Sequence, residues 1–324
     1  MLEEALFNIN TSAEFEQLAL DIFNYQYENT PVYRQFCDFL HIDCKNVAQI
    51  EDIPFLPIEF FKSKRILTTH HSPDTVFISS GTTGQKPSKH YVSRLELYEK
   101  SFINGFTHFY GDVKDYTFLA LLPSYLERSG SSLVYMVDKL KNFSNNTNSG
   151  FYLNNLGKLK STLQKLDDAG EKVLLIGVSF ALMDLVEKYR FNLKNTIIME
   201  TGGMKGRRKE IIRPELHDKL KRGFGVKTIH SEYGMTELLS QAYSKKEGYF
   251  SCPPWMKVLI RDPQNPIQFL DNGKTGGINV IDLANIYSCS FIATQDLGKL
   301  HHNDTFEVLG RFDHSDVRGC SLMV

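Results

Sequence analysis

The stretch "VFISSGTTGQKPSKHYVS" (76–93) holds the residues best spaced for chemistry in this 324-residue chain. An apolar start gives way to Ser79, Ser80, Gly81, Thr82, Thr83 and Gly84, and then to Lys86. Small residues let backbone N–H groups approach phosphate oxygens, hydroxyls add donors, and the lysine brings a positive charge. Gly81 and Gly84 are three residues apart, so the GxxxxGK[ST] spacing of the P-loop nucleotidases is not met. Read alone, the stretch serves equally well as a Gly/Ser/Thr connection between a strand and a helix. A basic cluster, "MKGRRK" (204–209), reads either as a solvated face or as a phosphate or partner contact. His301 and His302 lack metal-ligand spacing and read as a surface turn, and His90 and His230 read as structural histidines.

The elements that must position these groups alternate. "TSAEFEQLALDIFNYQY" offers a capping box from Thr11 to Glu14, with Phe15, Leu18, Ile22 and Tyr25 at helical spacing. A proline-bearing connector, "EDIPFLPIEFFKS", follows. Val76–Ser79 reads as a short buried strand. Ser93 and Glu96 read as a second capping box ahead of a helix face carrying Leu95, Tyr98, Phe102, Phe106 and Phe109. "TFLALLP" (117–123), "KVLLIGV" (172–178) and "NTIIMET" (195–201) read as buried parallel strands. Helical stretches lie between and after them: Leu156, Leu159, Leu163 and Leu166 closed by Gly170, then "SFALMDLVEKY" and "RPELHDKLKRGFG". "NFSNNTNSG" (142–150) reads as a surface loop, and "DNGKTGGINVIDL" in the β-richer last third as a hairpin. The alternation predicts an α/β fold.

Four short stretches in chain order then carry a resemblance. "SSGTTGQKPS" resembles the phosphate loop of the adenylate-forming superfamily, with the order of Lys and Pro exchanged. "EYGMTE" (232–237), "TQDLG" (294–298) and "LGRFDHSDVRG" (309–319) match its later signatures. Within that superfamily "LPSYLERSGSSLVYM", "TGGMKGRRKE" and "DVRGCSL" resemble the acyl-protein synthetases of the LuxE type, from about residue 50 to the C-terminus. The resemblance implies the large N-terminal-domain architecture of these enzymes, sheets layered with helices. It divides the chain into a helical section and connector at 1–70 packed on the core, an α/β core at 71–310, and a truncated hinge and mobile tail at 311–324.

The resemblance also implies a reaction: a carboxylic acid, for this branch a fatty acid, is joined to the α-phosphate of ATP, and the acyl group then passes to a nucleophile. Ser80, Gly81, Thr82, Thr83, Gly84 and Lys86 would hold the β- and γ-phosphates, and Thr236 the α-phosphate. Glu237 would ligate Mg²⁺, a hard, oxygen-seeking ion. Tyr233 would flank the adenine near Gly202 and Gly203, Asp296 would bind the ribose hydroxyls, and Arg311 the ribose or a phosphate. Each has a plainer reading: Tyr233 as a core aromatic, Asp296 as a turn residue, Glu237 at a helix start, and the glycine pair as a turn. Arg128 would be an anion contact near the acyl group.

Longer members of the superfamily continue past the hinge into a small domain with a catalytic lysine, and this chain is expected to lack it. In the LuxE-type branch a cysteine near the C-terminus accepts the acyl group as a thioester, a role that falls on Cys320. The seven residues from Asp313 to Cys320 span up to roughly 25 Å when extended, and Arg318 favours the thiolate. Acceptance would be followed by transfer to an acyl reductase or carrier protein. A ligase using coenzyme A or another small acceptor, and an inactive nucleotide-binding scaffold, are the competing expectations.

Composition sets the frame. The chain is 42% apolar, has a formal net charge of −1 and carries five cysteines without CxxC spacing. These figures argue against a nucleic-acid binder, a disulfide framework and a cysteine metal site. The start "MLEEALFNIN" has no secretory-signal pattern, and no apolar run reaches membrane-spanning length. A cytoplasmic protein with reduced thiols is expected.

Overall fold

The computed structural model describes residues 2–80, 86–123, 130–202 and 211–312. Short helices open the chain: α1 (Leu2–Leu6), α2 (Ser12–Asn29) and α3 (Pro31–Phe39), followed by a two-residue strand β1 (Leu56–Pro57) and α4 (Phe60–Ser63). The capping box predicted for α2 is present: Thr11 accepts from the Glu14 N–H, and the Glu14 carboxylate accepts from the Thr11 N–H. Phe15, Leu18 and Ile22 form its buried stripe.

The middle of the chain follows the expected alternation. It runs β2 (Thr75–Ile78), β3 (Lys89–Val92), α5 (Leu95–Tyr110), β4 (Thr117–Leu121), α6 (Ser132–Ser144), β5 (Gly150–Phe151), α7 (Leu156–Asp168), β6 (Val173–Val178), α8 (Ser179–Lys188), β7 (Thr196–Thr201), α9 (Arg213–Phe224), β8 (His230–Tyr233) and β9 (Ala242–Ser244). Strand order in its main sheet is β5-β4-β6-β7-β8-β9. All neighbours pair in parallel except β9, which runs antiparallel to β8. Every residue of β4 and β6 is buried, as continuous apolar runs require when helices cover both faces of a sheet. The last third is β-rich: β10 (Met256–Arg261), β11 (Thr275–Asp282), β12 (Phe291–Leu300) and β13 (Phe306–Arg311). They form a sheet in the order β1-β12-β11-β10, with β13 also on β12.

Contacts divide the chain into two compact units, Ser72–Pro253 and a discontinuous one built from Met1–His71 and Pro254–Val324. The sequence reading set residues 71–310 together as a core, whereas residues from Pro254 group with the N-terminal section. The physical reason lies in side chains that no local pattern displays. Gln26 of α2 donates to the Asn285 and Ile286 carbonyls and accepts from the Ser290 N–H, all inside the protein. β1 pairs in parallel with β12, and Tyr33 stacks on Phe291 with centroids 6.1 Å apart.

Four local expectations are corrected. β2 is not a buried strand: among the described residues its strand partner is β3, antiparallel, and of its four residues Phe77 alone is buried. Ser93 does not cap α5. Arg94 stands at the cap, the Leu95 N–H is taken by the Asp74 carboxylate at 3.0 Å, and the buried Ser93 hydroxyl has no partner among the described residues. Residues 142–150 are not a loop throughout, since α6 runs to Ser144 and β5 begins at Gly150. Between them Asn146 donates to the Thr117 hydroxyl and Ser149 accepts from the Phe118 N–H. "DNGKTGGINVIDL" is not itself a hairpin: Asn272-Gly273 lies in the connection from β10, and Thr275–Asp282 is one strand. That strand is β11, whose antiparallel partners are β10 and β12.

Candidate active site

Parallel sheets present ligand-binding turns at the carboxyl ends of their strands. In the Ser72–Pro253 unit, β7 ends at Thr201–Gly202 and β8 at Tyr233, directly before Gly234, Thr236 and Glu237. The two ends are tied together. Thr201 and Glu232 are register partners, and the Thr201 hydroxyl donates to the Glu232 carboxylate at 2.5 Å. Gly234 accommodates that carboxylate, because a Cβ there would lie 2.5 Å from Glu232 Oε1. Tyr233 is 8% exposed and packs on Phe250, ring centroids 5.9 Å apart at 61°. Glu237 is buried, whereas Thr236 is half-buried.

Beneath these turns lies a polar cluster. Glu200, 3% exposed, is met by the Ser179 hydroxyl at 3.2 Å, Arg213 Nε at 3.3 Å and His217 Nε2 at 3.5 Å. Burial opposes charge on this carboxylate, but His217, Arg213 and Ser231 outweigh it and hold its pKa below the ordinary carboxylate range. Glu200 therefore stays ionised. Ser179 also lies 2.7 Å from the Gly202 carbonyl, so the cluster reaches the turn after β7.

The connection between β2 and β3 contributes Ser79, Ser80 and Lys86 among the described residues. The Ser79 side chain accepts from the Ser88 N–H at 2.9 Å, and the Ser79 N–H donates to the Ser88 carbonyl at 3.1 Å, which continues the pairing of the two strands by one step. Lys86 is exposed. His90, on β3, is wholly buried, and its Nδ1 lies 2.9 Å from the Thr236 carbonyl. A carbonyl can only accept, so Nδ1 carries the proton. Burial, only partly offset by this hydrogen bond, lowers the His90 pKa to about 4, and the ring is neutral at neutral pH.

Asp296 and Arg311 belong to the other unit, where they are register partners on β12 and β13. Arg311 Nε lies 3.1 Å from Asp296 Oδ1, with the arginine side chain 79% exposed and the aspartate side chain 10%. The two residues that the resemblance assigned to the ribose and phosphate therefore touch each other.

Gly81, Thr82, Thr83, Gly84, Gly203, Arg128, the basic cluster at 204–209 and Cys320 lie outside the described residues. Of the other cysteines, Cys37 and Cys289 are buried, and burial pushes the Cys37 thiol up to about 12 and that of Cys289 well above the ordinary value. Neither is a thiolate at neutral pH. Cys44 and Cys252 are half-buried. The sequence reading missed Glu200, Glu232 and Ser179. The available signal was an acidic residue inside an otherwise apolar strand, "TIIMET", and one at the end of β8.

No group of three or more His, Cys, Asp or Glu side chains that could hold a metal occurs among the described residues. Glu237 offers one hard oxygen donor, with the Thr236 hydroxyl beside it in sequence. That limited donor set fits Mg²⁺, which is commonly bound through one or two carboxylates plus substrate phosphates.

Comparison with known proteins agrees with this architecture. MatB from Rhodopseudomonas palustris, solved with ATP bound, superposes with a TM-score of 0.55 at 18% identity. The match covers 73% of this chain and 47% of MatB, so the chain corresponds to about half of that enzyme. The open conformation of 2-hydroxyisobutyryl-CoA ligase superposes with a TM-score of 0.69 at 13% identity, over 94% of this chain and 72% of the ligase. The fold is that of the adenylate-forming enzymes. Residues 6–101 match the family described as acyl-protein synthetase, LuxE. A long-chain-fatty-acid–luciferin-component ligase of Vibrio harveyi is 23% identical over 94% of this chain and 86% of its own length. Its counterpart in Photorhabdus luminescens is 38% identical over 22% of this chain and 61% of its own length. The chain thus resembles the LuxE-type acyl-protein synthetases over residues 6–101 and has the fold of the adenylate-forming enzymes.

Proposed function

We propose that this enzyme activates a fatty acid with ATP, takes the acyl group onto Cys320 and hands it to a partner protein such as an acyl reductase. A carboxylate oxygen of the acid attacks the α-phosphorus, the bond to pyrophosphate breaks, and acyl-AMP forms. The Cys320 thiolate then attacks the acyl carbon and AMP leaves with the bonding electrons. A nucleophile on the partner repeats the exchange and restores the thiolate.

Such chemistry depends on positioning and on stabilising charge. Ser80 and Lys86, with Gly81, Thr82, Thr83 and Gly84, are the proposed β- and γ-phosphate contacts, and Thr236 that of the α-phosphate. Gly202, Gly203 and Tyr233 are the proposed adenine contacts, and Asp296 and Arg311 those of the ribose. Glu237 would hold Mg²⁺, which when bound spreads the charge developing on the phosphates. The observation that carries the reading is the His90–Thr236 hydrogen bond, which sets the strand leaving the glycine-rich connection against the turn of "EYGMTE". These are the two motifs that a nucleotide's phosphates must meet together. None of the described helices is long and apolar enough to cross a membrane, and a cytoplasmic setting would keep Cys320 reduced.

Intact-protein mass spectrometry after incubation with ATP, Mg²⁺ and a panel of fatty acids tests the proposal in wild type and Cys320→Ser. A hydroxylamine-labile acyl adduct is expected on wild type alone, with pyrophosphate released by both. Pyrophosphate release without an adduct on either form would point to a small-acceptor ligase instead. Nucleotide binding without carboxylate-dependent exchange for any acid would leave a scaffold.

A further inference from the structure

We infer that His90 is a positioning residue for adenylation: through Nδ1 it holds the Thr236 carbonyl, and so fixes the peptide that joins Thr236 to Glu237. The inference rests on the adenylating function proposed above and adds a residue to it. The Thr236 carbonyl and the Glu237 N–H share one rigid peptide plane. Rotating that plane would swing the Thr236 hydroxyl and the Glu237 carboxylate apart from their shared target. The Nδ1 hydrogen bond bears on this plane from β3, where His90 stands four residues after Lys86.

The surroundings make the anchor stiff. His90 is 0% exposed and is the register partner of Phe77 on β2. Phe77 is itself buried, with its ring 5.4 Å from that of Tyr98 and 5.7 Å from that of Tyr135. The ring therefore has little freedom to follow a displaced turn. A second buried link, Ser101 Oγ to Ser240 Oγ at 3.0 Å, joins α5 to the same segment beyond Glu237. It joins side chains other than those of Thr236 and Glu237 and offers a structural control.

The geometry distinguishes between two substitutions. Asparagine carries its amide N–H where the Nδ1–H of histidine stands, and glutamine carries one nearer the Nε2 position. Carboxylate-dependent pyrophosphate exchange would be measured on full-length wild type, His90→Asn, His90→Gln, His90→Leu and Ser101→Ala, with thermal unfolding midpoints for each. His90→Asn should stay within about threefold of wild type, whereas His90→Gln and His90→Leu should lose about tenfold or more, the size of one buried hydrogen bond left unmade. In those two the Mg²⁺ concentration for half-maximal rate should rise several-fold while the KM for the fatty acid holds. Ser101→Ala should lower the unfolding midpoint without moving the Mg²⁺ dependence.

Folded His90→Gln or His90→Leu protein with wild-type Mg²⁺ dependence would overturn the inference. So would His90→Asn as impaired as His90→Leu, or a fatty-acid KM that shifts in step with Mg²⁺. The wild-type arm separates the two levels. An inactive wild type refutes the function and this inference with it, whereas an active wild type without the Asn–Gln ranking refutes the inference alone.

Discussion

Asp296 shows how magnitudes separate a folding role from a binding role. Its partner Arg311 is largely exposed although the Asp296 side chain is only 10% exposed, and a pair screened by solvent from one side contributes up to about 1 kcal/mol. Asp296→Asn should therefore cost less than about 1 kcal/mol in urea unfolding. If the carboxylate also binds the ribose hydroxyls, the same change should raise the ATP concentration for half-maximal exchange about tenfold, because hydrogen bonds to a charged group are worth roughly 1.5–3 kcal/mol. Unchanged ATP dependence would remove Asp296 from the proposed nucleotide contacts. Asp296 was legible in the sequence through "TQDLG", but its pairing with Arg311 was not. The two stand fifteen residues apart and meet only because β12 and β13 register antiparallel.

Helices α8 and α9 illustrate what the motif-bearing strands lean on. They pack at Gly223, where a Cβ would lie 2.3 Å from Val186 Cβ and 2.6 Å from its Cγ1. Both partners belong to backbone-anchored, β-branched or helical positions that cannot simply step aside. Gly223→Ala should destabilise the protein by about 1–3 kcal/mol, the range for overpacking a tight contact, despite the better helix propensity of alanine. A chemical unfolding curve with an unchanged midpoint would show that the helices can separate without cost. Strands β4, β6 and β7 were readable because their burial on both faces leaves an uninterrupted apolar run. β5 was not: with two residues it has no periodicity to detect, and its place beside β4 is decided by a register of two pairs.

Stability of the whole molecule should fall in acid for a definable reason. Burial lowers the pKa of His90 to about 4, and burial together with Lys245 and His217 does the same to His230. Both values lie below the unfolded value of 6.5, so the unfolded chain binds more protons between pH 6.5 and 4. Their contribution is complete above pH 6.5, is lost as the pH falls toward 4, and changes no further below that. Each histidine adds a slope of up to about 1.4 kcal/mol per pH unit inside the window. His90→Asn should therefore show a shallower decline than wild type in unfolding free energy measured from pH 6.5 to 4.5. Parallel declines would mean that His90 accepts its proton in the folded protein at the ordinary pH.

Sequence alone determined the order of the four motifs, the buried strands β4, β6 and β7 and the cap of α2. All of these depend on residues close together in the chain. Tertiary structure decided which motifs share a unit, since Gln26, β1 and Tyr33 gain their partners only when the ends of the chain meet. It also decided that His90 acts on Thr236, a contact across 146 positions. A local pattern records what a residue does to its neighbours along the chain. A hydrogen bond between distant segments depends on the register of a sheet and the packing of its helices, which no single stretch contains.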